Sequence, residues 1–133
     1  MVKHVFVIVL SIFGMASLRS QPVDQMNKLQ LAQQFEAAGM WERAVSVYEE
    51  LHRSDTTNFV YFDGLQRSYV QVKEYSLAVV LVGQRLLIQP LDPFLLTSLG
   101  GLQYDLGQDS LARVTWTSVI NLNSESDQIR HLV

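Results

Sequence analysis

Slid against itself by 34 residues, the chain returns one skeleton over three copies without an insertion. Leu31, Leu65 and Leu99 fall in register, as do Ala44, Ala78 and Ala112. Gly39 falls on Lys73 and then Gly107, Phe35 on Tyr69, and Tyr48 on Val82 and Trp116. A fixed period of about 20–50 residues marks stacked supersecondary units, so no other feature restricts the fold as much. Within Leu31–Leu51, LAQQFEAAGMWERAVSVYEEL, two amphipathic helical stretches meet at Gly39. Each unit reads as a helix, a tight turn and a second antiparallel helix. One such pair cannot bury its apolar face alone, and stacking the next pair covers the remainder. The register leucines are expected to project into the seam between the two helices of a unit. The register alanines are expected where the backbones come close.

The order of residues within the period resembles the tetratricopeptide repeat family, whose pattern runs aromatic, leucine, small residue, aromatic, alanine, aromatic and closing proline. The second copy carries Phe62, Leu65, Tyr69, Ala78 and Pro90. The first carries Leu31, Ala32, Phe35, Ala44 and Tyr48, and the third Leu99, Gly100, Ala112 and Trp116. Gln66 departs from the small-residue station and Gln103 from an aromatic one, while Thr56 and Ser124 stand where the proline would close the other copies. These departures imply locally looser packing. The resemblance covers roughly residues 25–126 and implies an all-α fold: antiparallel helix–turn–helix repeats, at about 25–58, 59–92 and 93–126, stacked as a right-handed α-solenoid.

Local signals place the helices. Asp24, close behind Pro22, is a good N-cap for a helix running to about Ala38, and Gly39 supplies the turn. The second helix runs from Trp41 to about Arg53. Asn58 caps the third, which ends near Val72. Lys73 and Glu74 form a turn without glycine before a fourth helix that stops short of Pro90. Asp92 followed by Pro93 is a strong start for the fifth. Gly107 turns the chain into a sixth helix, from about Asp109 to Leu122. Ser124–Asp127 reads as a loop, and 127–133 as a tail or the opening of a further helix.

The hydrophobic content of 48% overstates the core, because part of it lies in a leader. Lys3 and His4 precede Val5–Ala16, apolar apart from Ser11 and Gly14, and small residues follow. This is the pattern of a secretory signal peptide over residues 1–20, cut after Ala16 or before Gln21, with an uncleaved signal anchor as the alternative. The run is short for a membrane span, which takes about 20 apolar residues, and no span is expected in the mature chain. Loss of residues 1–20 removes Lys3 and Arg19, the only formal charges there, and takes the net charge from −3 to −5. A mildly acidic chain without a basic cluster argues against nucleic acid. With no cysteine, neither disulfides nor thiolate chemistry is available, and an exported chain must be held by helix packing alone. The residues 127–133 are too few to cap an array, so either more chain follows in the natural product or a second subunit covers the edge as a homo-oligomer.

No constellation for catalysis, cofactor or metal emerges. His4, His52 and His131 are scattered. Glu49 and His52 stand three apart on a helix, but a di-iron carboxylate site needs that pair twice with two further glutamates. Exposed helix surface is the preferred reading of both. There is no Gly-x-Ser-x-Gly elbow and no phosphate-cradling loop. An enzyme is therefore not expected, and binding remains. The family resemblance implies that the first helices line a concave groove for a protein or peptide segment. Its inward stations are Met26, Leu29, Gln33 and Glu36, then Val60, Asp63, Arg67 and Val70, then Phe94, Thr97, Gly101 and Tyr104. Some relatives grip a peptide carboxylate with cationic side chains, but Leu29, Gln33, Gly64, Phe94 and Ser98 occupy those stations here. A groove this apolar suits a hydrophobic segment or helix. On the outer face, Arg43 and Ser46 give way to Leu77 and Val80 and then to Leu111 and Val114, with Leu87 extending an apolar stripe that would form a second contact. The resulting expectation is an exported protein-interaction scaffold, with the N-terminal part of a longer repeat protein carrying a downstream effector domain as the alternative.

Overall fold

The computed structural model describes residues 22–130, with side chains described over 23–126. The expected leader at 1–20 lies outside the described residues. So do residues 131–133 of the expected tail. Six helices follow in order: α1 (Pro22–Ala37), α2 (Trp41–Ser54), α3 (Phe59–Gln71), α4 (Tyr75–Leu86), α5 (Pro93–Asp105) and α6 (Asp109–Arg130). No strand occurs among the described residues. Each helix packs chiefly on its neighbours in sequence, α1 on α2, α2 on α3 and so on to α6. The result is a right-handed α-solenoid of antiparallel pairs.

The turns inside the pairs are copies of one another. In the first, Gly39 N–H donates to the Glu36 carbonyl at 3.0 Å and Met40 N–H to that of Phe35 at 2.8 Å. Lys73 and Glu74 repeat those two bonds on Val70 and Tyr69, and Gly107 and Gln108 on Tyr104 and Gln103. This crossed pair of bonds, with a left-handed residue at its centre, satisfies helix-end carbonyls that would otherwise lack donors. The central φ is 70° at Gly39, 74° at Gly107 and 63° at Lys73, so the turn without glycine keeps the geometry.

Helix starts repeat as well. Asn58 Oδ1 accepts from Val60 N–H at 3.0 Å and, one repeat later, Asp92 Oδ1 accepts from Phe94 N–H at 2.9 Å. Asp24 occupies the same register but does not cap. Here α1 already begins at Pro22, which puts Asp24 inside the first turn, where a carboxylate still suits the helix dipole.

Ala44, Ala78 and Ala112 are fully buried. A continuous core takes in the first two, and its largest members are Tyr48, Phe62 and Leu51, each worth about 1.5–3 kcal/mol of burial. A methyl group on Gly64 would overlap the Tyr48 ring, so α2 and α3 meet where only glycine fits. Gly100 is similarly pressed against Trp116, whereas Gly101, an assigned inward station, has open space. The register leucines behave unequally. Leu65 is buried and Leu99 packs on the core, but Leu31 is exposed. Leu65 and Leu99 belong to helices, α3 and α5, that have a pair before them to pack on, whereas no described pair precedes α1. The expected loop at Ser124–Asp127 is also absent. Helix α6 continues through it to Arg130, because Ser124 and Ser126 satisfy their hydroxyls on the helix carbonyls of Asn121 and Asn123 rather than breaking the helix.

Candidate functional site

The first helices of the three pairs, α1, α3 and α5, carry the residues assigned to the inner face. Met26, Val60, Phe94 and Tyr104 are all more than half exposed or at the half mark, Phe94 at 57%. Gln33 is exposed and Asp63 half-buried. Leu29 differs from expectation. It is half-buried against the core, because the turn of α1 that carries it rests on the body of the molecule.

Charge on this face is internally compensated. Arg67 Nη2 bonds both carboxylate oxygens of Glu36, at 3.0 and 3.3 Å, and its Nη1 bonds Asp63 one helical turn away. The guanidinium thus ties α3 to α1 and leaves one carboxylate charge in excess. Behind it, burial and then the Glu36 charge push the Tyr48 phenol up to about 12, so the ring stays neutral. Arg67, the one cation among the residues assigned to this face, is thus engaged within the protein by Glu36 and Asp63.

Four assigned residues, Asp63, Arg67, Val70 and Phe94, meet in one cleft of about 230 Å³ between α3 and α5, together with Gln66. Gln66, the departure from the small-residue station, spans this gap and donates through Nε2 to Ser98 Oγ, joining the two repeats. One residue absent from the sequence assignment belongs here. Phe59 is half-exposed, and its ring centroid lies 6.5 Å from that of Phe94 and 5.9 Å from Phe62. Arg85 stacks on Phe59 and Phe62 at 5.4 and 4.9 Å, within range of a cation–π contact. The 34-residue register hides Phe59, since its partner Phe94 stands 35 positions on. Tyr104 belongs to the far end, 6.1 Å from the Trp116 ring, whose indole Nε1 donates to the Thr97 carbonyl.

On the outer face, Leu77, Val80, Leu111 and Val114 are exposed, and two clefts open beside them. Leu77 and Val80 line a cleft of about 390 Å³ with Glu49, His52 and Tyr69. Val114 lines a separate depression on α6 with Arg113, Thr117 and Asn121. The reading of Glu49 and His52 as free helix surface is therefore corrected. Both are half-buried, Glu49 Oε1 accepts from the Tyr69 hydroxyl at 2.7 Å, and His52 Nδ1 is buried without a partner. Among the described residues, no group of three His, Cys, Asp or Glu is placed to hold a metal, and no helix is long and apolar enough to cross a membrane.

No protein-family model matches the chain, and no curated protein matches it. Among solved structures, the chain is similar to PcrH from Pseudomonas aeruginosa, with a TM-score of 0.64 and 21% identity over 79% of this chain and 80% of that one. At that identity the likeness carries the fold: a TPR-like stack of helical pairs.

Proposed function

We propose that the chain is a tetratricopeptide-repeat scaffold that docks a hydrophobic segment of a partner protein on the face formed by α1, α3 and α5. The single observation that carries this reading is the exposed aromatic ledge of Phe59 and Phe94 beside the Asp63–Arg67 cleft. Exposed aromatic rings flanking a pocket are what anchor residues of a partner fill, and such sites concentrate binding energy. The likeness to PcrH supports a helical-repeat architecture suited to docking rather than to bond making. In this proposal the chain is exported, on the strength of Lys3, His4 and the apolar Val5–Ala16. The partner is bound by apolar anchoring, and Arg67 with its two carboxylates orders the adjoining wall.

The test is a photocrosslinking residue placed at Val60 in the producing cell, with the same residue at exposed Asn123 as the control. One protein should crosslink from position 60 alone, and Phe94→Asp should weaken its binding at least about tenfold, or about 1.4 kcal/mol, with helicity unchanged. Equal crosslinking from both positions, or binding indifferent to Phe94→Asp, would refute the reading.

A further inference from the structure

The outer cleft holding Leu77 and Val80 is one end of a longer trough. A second cleft, of about 360 Å³, shares Glu49, Tyr69 and Leu77 with it and adds Glu42 and Glu74. Together they run along α2 from Glu42 to Arg53, about 16 Å or three helical turns. The trough exists because each helix packs on its neighbours in sequence. Helices α2 and α4 stand apart, and Leu65 and Tyr69 of α3 form the floor between them.

Its lining combines open apolar surface with acid at one end. Leu77 and Val80 are 44% and 57% exposed. Glu42 and Glu74 stand at the end near the α3–α4 turn, Glu49 lines both clefts midway, and the single cation of the lining, Arg53, is at the other end. Two cations of the neighbouring helices are engaged on aromatic rings. Arg43 lies over the Phe35 ring at 5.8 Å, and Arg85 over Phe59 and Phe62. Burial, then the Glu49 carboxylate, push the Tyr69 phenol up, so it cannot ionise to add charge and only donates to Glu49.

Repeat packing does not require these acids. One period on, Glu42, Glu49 and Glu74 are replaced by Ser76, Gly83 and Gln108, and the apolar stations Leu77 and Val80 by Leu111 and Val114. From the second repeat to the third the apolar stations persist, whereas the carboxylates are lost one period on.

We propose that this trough is a second docking site, on the face opposite the one described above, for an amphipathic helix of a partner protein. That helix carries an apolar stripe over Leu77 and Val80, and Lys or Arg at the end beside Glu42 and Glu74. A helix seats its side-chain ridge in a groove between two others, and helix-in-groove recognition reads apolar anchors spaced three and four apart. Charge sets the orientation and excludes the reversed helix. A second copy of this chain is a poor occupant, because its formal charge is already negative.

The test is a displayed library of helices of about 14 residues, with a fixed leucine stripe and randomised ends, selected on the full chain. Enriched sequences should carry Lys or Arg at one end, bind Val80→Asp at least about tenfold more weakly, and prefer acidic ends on Glu42→Lys/Glu74→Lys. Enrichment without charge bias, or binding that survives Val80→Asp, would overturn the proposal. So would full chain that is dimeric by light scattering and becomes monomeric with Val80→Asp, which would make a second copy the occupant. Failure at Val60 and Phe94 leaves this outcome untouched, so the two sites are judged separately.

Discussion

His52 is held neutral by where it sits. Burial pushes its imidazole below the ordinary value of 6.5, Arg85 adds to that, and Asp55 opposes it. The unfolded chain therefore takes up a proton on this ring at a higher pH than the folded chain does. The stability this ring leaves in place is complete above the unfolded value and is lost as pH falls from about 6.5 through the lower folded one. Urea midpoints should drop between about pH 7.5 and pH 5.5, and His52→Gln should remove most of the drop. An undiminished drop in the variant would assign it to other groups. The sequence could not have placed this histidine. A spacing of three from Glu49 says that the two side chains share a helix face, but not that α4 and the Tyr69 hydroxyl close over that face. Gln103 teaches the same lesson in reverse. It replaces an aromatic and was expected to loosen the packing, yet it is buried and accepts from the Thr115 hydroxyl at 2.8 Å. The residue that satisfies it stands where repeat two has Leu81, so the two departures compensate each other.

The helices and their turns were the most legible part of the chain, because both are written locally. Apolar spacing, the caps at Asn58 and Asp92 and the glycines at 39 and 107 each act within a few residues. Lys73 shows how far the turn register prevails over local preference. A side chain at φ 63° pays a steric penalty that glycine avoids, and the two crossed hydrogen bonds hold it there. Lys73→Gly should therefore raise stability by about 0.5–1 kcal/mol, read as a higher thermal midpoint with unchanged helical content. A lower midpoint would mean that the lysine side chain contributes more than the strain costs. Helix α6 was the least legible element. Its serines invite a break, and only their bonding to carbonyls behind them shows why the helix continues.

In the whole molecule, stability is unevenly distributed. The buried cluster draws four side chains from α3, three each from α2 and α4, and none from α6. A solenoid whose contacts run only between neighbours opens from its ends. Native-state hydrogen exchange should find α3 amides slowest and those of α6 beyond Leu122 fastest, and uniform protection would contradict this. The stacking itself was legible from the period. The surfaces were read only in outline, since register says which stations face in or out but not where neighbouring helices part to leave a cleft. The three crossed-bond turns have one more consequence. Because each is built from the same pair of backbone bonds at the same offsets, the angle between paired helices is copied along the chain. Cutting out one period between equivalent positions would rejoin matching backbone, so chains of this kind can change length by whole units while keeping their curvature.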